Sequence, residues 1–284
     1  MDIKRVDINR SISISPLRYF GGKSFLAKEI KRYIPQSFRC WVDVCGGGGH
    51  MTTAMDIVPR RVEVFNDIDG ELINFLLTLR SRKTDLIGAL ATLPTSRLLY
   101  ESWLGQEIPE DRFERAVRYF YMLRQCLIPS PNSKSGFRYS KVKYSAFDYQ
   151  NAVKRLDIFE TRFRNVLIEC LDYSEIIKRY DSTMTFFFCD APYLGREHMY
   201  QGGFSWEDHV KLAKMLQSIE GKCIVTYYGD PEILELYQGW HYVTTKAKVG
   251  TVKKGALGQS RREETEFFFM NYIPDETGQQ INLF

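Results

Sequence analysis

The run Thr185-Phe186-Phe187-Phe188-Cys189 leads straight into Asp190-Ala191-Pro192-Tyr193. Three aromatics and a cysteine make a short segment that can be buried on both faces, which is how a central strand of a parallel sheet reads. It ends in an acid, then a proline that stops the strand, then an aromatic. In an open α/β sheet, ligands bind beyond the carboxyl ends of the strands. Asp190 and Tyr193 are thereby expected at the rim of a site. One can accept a hydrogen bond from an amino group, and the other can stack on a flat ring. That pairing suits the exocyclic amine of a nucleobase. The same four residues also make an ordinary strand-to-turn exit, since Asp and Pro both favour turns. The rest of the chain decides between the two.

Strand-like and helix-like segments alternate through most of the sequence. Cys40 to Val44 reads as a buried strand that enters Gly46-Gly47-Gly48-Gly49, followed by a helical stretch from His50 to Ile57. Arg61 to Phe65 reads as a second strand, and Asp69 to Ser81 has apolar residues at helical spacing (Leu72, Ile73, Leu76, Leu77). Further strands are expected at Val166–Ile168, Thr185–Cys189, Cys223–Tyr227 and Thr265–Met270. A helix is expected at Ser205–Ile219 with Ser205 as its N-cap and Asp208 in its first turn. Repeated strand–helix units predict a mostly parallel sheet with helices on both faces. The segment from Arg82 to Phe163 breaks this pattern. It is helical early, as in Arg112 to Cys126, loops through Pro129 to Ser133, and reads as an inserted helical subdomain. The expected division is 1–81 with 164–284, and 82–163.

The glycine turn joins a strand to a helix, where glycines permit a sharp bend and close approach of a ligand. The dinucleotide pattern G-x-G-x-x-G fails, because Gly46 and Gly48 match but Met51 holds the third position. That disfavours a nicotinamide oxidoreductase. Asp43 lies just before the turn. A carboxylate there disfavours a pyrophosphate and favours a ligand carrying a positive charge or an amine, as S-adenosylmethionine does. Asp67, ending the second strand, is placed to take two ribose hydroxyls. Gly21-Gly22-Lys23-Ser24 is not a phosphate-binding loop, since Leu17 stands where that loop needs glycine. Lys23 could instead pair with the carboxylate of an amino-acid ligand, or be a solvated lysine at a helix start.

Net charge is only +4, but it is unevenly spread. Arg115 to Phe147 contains seven basic residues and no acid, and Lys246 to Arg262 contains six more, again with no acid. Two such stretches suggest a polyanion partner. Aromatics Phe137, Tyr139, Tyr144 and Phe147 interleave with Arg138, Lys141 and Lys143; at least half of these rings are expected in the insertion's small core, and the others could wedge into a duplex. The six cysteines contain no C-x-x-C pair and sit mostly among apolar neighbours, as reduced core thiols do. His198 and His209 receive neither a metal nor a base role. No apolar run approaches the ~20 residues of a membrane span, and Met1 to Ser15 lacks a signal-peptide centre. A cytoplasmic protein is expected.

In order, the chain carries Pro16-Leu17-Arg18-Tyr19-Phe20-Gly21-Gly22-Lys23, Val42 to Gly49, Phe65-Asn66-Asp67-Ile68-Asp69, the insertion, Leu171-Asp172-Tyr173, Asp190-Ala191-Pro192-Tyr193 and Thr226 to Pro231. This resembles the Dam-like class of DNA adenine-N6 methyltransferases, many of them phage-borne or in restriction–modification systems, from Pro16 to Tyr272. The resemblance implies a Rossmann-like S-adenosylmethionine-dependent α/β fold, with 82–163 as the DNA target-recognition subdomain. It implies that Tyr19, Lys23, Asp43, Gly46, Gly48, Asp67, Asp172 and Asp190 bind the cofactor and that Asp190, Ala191, Pro192 and Tyr193 are catalytic. DNA contacts are expected from Arg138, Lys141, Lys143, Lys253, Lys254 and Arg261, with Arg138 as the base-edge contact. The partner is double-stranded DNA, and the resemblance leaves room for a cognate restriction endonuclease.

Two departures bear on this. Ala191 replaces the first proline of the family's D-P-P-Y, and Ser135-Gly136-Phe137-Arg138-Tyr139 replaces an Asn-rich hairpin, so the recognised sequence stays open. Cytosine-N4 methylation is the nearest rival, disfavoured by Asp190 where Ser is more usual. A DNA-binding paralogue with impaired catalysis is the other. No cysteine follows a proline, so the Pro-Cys nucleophile of cytosine-C5 enzymes is absent.

Overall fold

The computed structural model describes residues 13–19, 21–129, 135–142, 144–249 and 262–274. Its strands are β1 (Cys40–Asp43), β2 (Val62–Asn66), β3 (Leu167–Glu169), β4 (Thr185–Cys189), β5 (Lys222–Tyr228), β6 (His241–Val249) and β7 (Arg262–Met270). They form one sheet in the order β3-β2-β1-β4-β5-β7-β6. The first five are parallel to their neighbours, while β7 runs antiparallel to both β5 and β6. From β1 the chain fills one side of the sheet through β2 and β3, then crosses to β4 on the other side. The switch point of this topology therefore lies between β1 and β4, where such sheets form their ligand crevice.

Every residue of β4 is buried, as the apolar run demands. Alternate side chains serve opposite faces. Phe187 and Cys189 pack with Val42, Val64 and Ala213, whereas Phe186 and Phe188 pack with Trp41, Ile30 and Ile224. Trp41 stacks on both of the latter rings, at centroid distances of 5.7 and 6.1 Å.

All the strands read from the sequence are present, with ends displaced by a few residues. β6 was not among them. Its H-Y-V-T-T-K-A-K-V alternates polar with apolar residues and pairs only with β7 at the sheet edge, so it lacks the continuous apolar signature of the inner strands. The helices are α1 (Ala27–Lys31), α2 (His50–Ala54), α3 (Gly70–Ser81), α4 (Lys83–Thr92), α5 (Arg97–Gly105), α6 (Arg112–Gln125), α7 (Ser145–Phe163), α8 (Tyr173–Tyr180), α9 (Trp206–Ser218) and α10 (Pro231–Leu236). α2 stops before the expected Ile57 because Met55 is already extended. Ser205 caps α9 in a reciprocal capping box with Asp208, which satisfies otherwise unpaired backbone donors.

The segment 82–163 supplies α4 to α7. These helices share one apolar core with α3 and β2: Leu86, Phe120, Tyr121 and Phe159 join Leu72, Phe75, Leu76 and Phe65. Arg162, at the end of α7, ties this layer to the sheet. It lies 2.6 Å from Glu63 and donates to the Thr52 carbonyl at 2.7 Å. The core expectation for the interleaved aromatics fails. Only Phe137 packs inward, against Tyr100, while Tyr139, Tyr144 and Phe147 are exposed. Tyr139 lies in a short loop and Tyr144 and Phe147 at the start of α7, where few neighbours cover the rings. All six cysteines are free; Cys126, Cys189 and Cys223 are buried and Cys170 is exposed. Among the described residues no helix is long and apolar enough to cross a membrane.

Candidate active site

Three strand ends and one helix start deliver acids to the switch point. Asp43 closes β1, Asp67 follows β2, Asp190 follows β4, and Asp172 caps α8 by accepting from Ser174 N at 2.9 Å. These four, with Tyr19, Lys23, Gly46 and Gly48, line a single cavity of about 310 Å³. All eight residues expected to bind the cofactor are thus brought together. The glycines are needed for space. A Cβ on Gly46 would come within 2.1 Å of the Phe65 ring, and one on Gly48 within 2.8 Å of His50 Nε2.

Burial pushes the Asp43 carboxyl up to about 7, although its Oδ2 accepts from Thr52 Oγ1 at 2.7 Å. Burial likewise raises Asp67 to about 6, opposed by backbone donors: Gly47 N at 2.7 Å and Asp69 N at 2.9 Å. Each Asp67 oxygen accepts one of these bonds and keeps a lone pair for a ligand hydroxyl. A buried carboxyl that resists ionisation favours a ligand that brings positive charge. The donor set therefore fits S-adenosylmethionine, which carries a sulfonium, an ammonium and a ribose diol.

Asp190 is held from two sides. Lys23 Nζ lies 2.6 Å from its Oδ1, and Thr226 Oγ1 donates to the same oxygen at 2.8 Å. Burial still pushes the Asp190 carboxyl above its ordinary range, against the pull of Lys23. Burial alone would depress the Lys23 ammonium, but Asp190 and Glu266 reverse this and hold it above the ordinary lysine value. The sequence reading paired Lys23 with a ligand carboxylate or with solvent. The structure pairs it with protein carboxylates, because α1 leads from the cavity floor and the side chain is only 5% exposed. Tyr193, expected as an open platform, is also 5% exposed. The Lys23 ammonium lies 4.7 Å from its ring centroid, and Tyr228 meets it edge-on at 4.5 Å. Ala191 and Pro192 are buried beside it.

Sequence reasoning missed several residues in or behind the cavity. His50 follows the glycine run. It is pulled down to about 4 by burial, and its Nδ1 is 2.8 Å from Ser13 Oγ. Thr226 could have been inferred from pairing, since Cys189 and Val225 are register partners and the next residues are neighbours. Glu266 gave no signal, because an acid at the polar start of the Thr265–Met270 run, next to Glu263 and Glu264, reads as solvent-facing. Tyr200 to Phe204 fold back over the cavity. This loop is anchored by Glu197, whose Oε1 is 3.3 Å from His209 Nε2; His209 itself is fully buried and packs, as read from the sequence.

Of the expected DNA contacts, Lys143, Lys253, Lys254 and Arg261 lie outside the described residues. Lys141 is exposed, whereas Arg138 is paired with Asp148. Much of the first basic stretch serves the fold itself. Arg115 pairs with Glu71, Arg118 donates to the Gln106 carbonyl at 2.7 Å, and Arg124 reaches Asp148 at 2.9 Å. In the second stretch, Lys246 lies 3.9 Å from Glu263 across the β6–β7 pair. A stretch free of acids along the chain is not free of them in space.

A seven-stranded sheet with an acidic crevice at its switch point and a further acid after the central strand is the arrangement of the Rossmann-like methyltransferases. Within that class, residues 19–251 match the D12 class N6 adenine-specific DNA methyltransferase family, and the chain belongs to it. It is therefore an adenine-specific DNA methyltransferase, and DNA is its substrate. Among its relatives is the Type II methyltransferase M.CviBI of Paramecium bursaria Chlorella virus NC1A, 23% identical across 82% of this chain and 89% of that protein. Another is the DNA N-6-adenine-methyltransferase of Escherichia phage P1, 26% identical across 78% of this chain but only 31% of that longer protein. The rRNA methyltransferase AviRa from Streptomyces viridochromogenes aligns over 94% of both chains at 12% identity, with a TM-score of 0.36.

Proposed function

We propose that the chain transfers a methyl group from S-adenosylmethionine to the exocyclic amine of an adenine extruded from duplex DNA at a defined sequence. The carrying observation is that Lys23 and Thr226 both engage Asp190 Oδ1. They leave Oδ2 as the acceptor for the target amine. Asp67 would hold the ribose hydroxyls, with Asp43 and Asp172 facing the cationic and adenine parts of the cofactor. Bound there, S-adenosylmethionine supplies an electrophilic methyl on a sulfonium.

The protein's own part is alignment. The adenine amine is a poor nucleophile because its lone pair is delocalised into the ring. Asp190 Oδ2 and the Ala191 carbonyl accept its two hydrogens and favour a pyramidal nitrogen. Holding the nitrogen in line with the methyl is a proximity effect, and no covalent enzyme intermediate is required. Extrusion is needed because the base is otherwise stacked in the duplex. Tyr193 offers its ring to the extruded base once Lys23 and Tyr228 part, the kind of side-chain rearrangement common on binding. The raised carboxyl of Asp190 suits it to receive the proton that the methylated amine releases.

The helical segment 82–163 with the loop around Arg138 and Lys141 reads the target, and the exposed Tyr139, Tyr144 and Phe147 enter the duplex there. A cytoplasmic site of action is part of this reading. So is a cognate restriction endonuclease, which rests on the Type II name of the viral relative. The test is transfer of tritiated methyl from S-adenosylmethionine to unmethylated DNA, followed by nucleoside analysis. N6-methyladenine is expected. N4-methylcytosine, or DNA binding without incorporation, overturns the reading.

A further inference from the structure

Tyr193 and Lys23 converge on a carboxylate outside the D-A-P-Y motif. Glu266 stands in β7 opposite Tyr228 and is 2% exposed. Its Oε1 accepts the Tyr193 hydroxyl at 2.5 Å and lies 3.3 Å from Lys23 Nζ. Lys23 continues to Asp190 Oδ1 at 2.6 Å, and its ammonium covers the Tyr193 ring. Lys23 and Glu266 thereby link the first and last residues of the motif through side chains as well as through the backbone. A buried carboxylate is costly unless paired and hydrogen-bonded, and an apolar residue of similar size would pack here without that cost.

We infer that Glu266 is a positioning residue for methyl transfer, an inference that rests on the proposed function. It acts through its neighbours. By accepting the Tyr193 hydroxyl it fixes the rotation of the ring that receives the extruded base. By sharing the Lys23 ammonium it holds that cation at Oδ1 of Asp190, so Oδ2 stays available to the amine. The antiparallel course of β7 makes this possible, because it brings the strand back beside β5 with Glu266 opposite Tyr228, three residues past the Val225 that pairs with the end of β4.

The test compares Glu266→Ala, Glu266→Gln and Tyr193→Phe with the wild type in steady-state methyl transfer. It also uses a duplex bearing 2-aminopurine at the target adenine, located from the wild-type product. Glu266→Ala is expected to lower kcat about 100-fold while KM for DNA stays within about threefold, since sub-ångström misplacement acts on the chemical step. Its 2-aminopurine fluorescence on binding should differ from the wild type, reporting altered stacking on Tyr193. Glu266→Gln keeps an acceptor for the hydroxyl and should recover about tenfold of the loss. Tyr193→Phe should lower kcat about tenfold, and the Glu266→Ala loss should not add to it. Wild-type kcat in folded Glu266→Ala, or an unchanged 2-aminopurine signal, overturns the inference. If Glu266→Ala does not fold, Tyr193→Phe decides: undiminished kcat overturns it equally. Absence of adenine methylation by the wild type overturns the underlying reading instead.

Discussion

Lys23 Nζ lies 2.6 Å from Asp190 Oδ1, joining a residue ahead of the first strand to the acid at the end of the fourth. The pair sits at the switch point of the sheet, where β1 and β4 run side by side. Lys23 and Thr226 both anchor Oδ1, and the proposed mechanism uses Oδ2 as the acceptor for the target amine. Asp190→Ala is expected to reduce transfer by at least about 1,000-fold while DNA affinity stays within a few-fold, as for loss of a group that acts mainly in the transition state. Tritium incorporation and filter binding measure the two quantities, and near-normal turnover would sink the assignment.

Asp43 makes a pH-dependent prediction. Its folded pKa, raised by burial to about 7 from 3.8, means that the native state binds the proton more tightly than the unfolded chain. Asp43 therefore lowers stability progressively as pH rises from about 4 to about 7. His50, depressed by burial to about 4, acts oppositely between about 4 and 6.5, so the comparison needs a difference. The stability of Asp43→Asn relative to wild type, from urea denaturation, should rise between pH 5 and pH 8. A constant difference rules the effect out. In the wild type, S-adenosylmethionine should bind more tightly at pH 8 than at pH 6, because its cation favours the ionised carboxylate.

Arg162 joins α7 to Glu63 and to the carbonyls that end α2. Its side chain is 5% exposed, so truncation strands a buried carboxylate. Arg162→Met should destabilise the protein by about 3 kcal/mol, lessened to the extent that Arg61, 2.6 Å from Glu63, compensates. Denaturant unfolding measures this, and a loss below about 1 kcal/mol would show that the contact is dispensable.

Lys141 is exposed in the loop ahead of α7, so its removal should cost little stability. Lys141→Ala should weaken duplex binding about equally for cognate and unrelated sequences and reduce the salt slope by about one unit. A loss confined to one sequence would mean that Lys141 reads a base.

Much of the architecture was legible because burial leaves a local mark. Phe186 to Cys189 reads as a two-faced strand since no charged residue interrupts it, and Asp67 and Asp190 mark strand ends because the apolar runs stop there. The same logic hid β6. An edge strand needs only one apolar face, and Lys246 and Lys248 alternate with threonine, alanine and valine as a surface loop can. Nor does the sequence show which basic residues the fold itself pairs. Arg124 and Arg138 meet Asp148, which lies just past the acid-free segment, and Arg115 meets Glu71 from a different helix.

Phe186 to Tyr193 by itself determined a central strand and its exit at the sheet's carboxyl edge, and the order of blocks around it determined the class of chemistry. Only the tertiary structure decided which groups hold Asp190. Lys23, Thr226 and Glu266 are 167, 36 and 76 positions away from Asp190 in the chain. They converge because β4 pairs with β5, β5 pairs with the reversed β7, and α1 packs beneath. Hydrophobic runs are written locally, since each residue carries its own tendency to leave water. The partner of a buried charge is set by strand pairing and register, which belong to the fold as a whole.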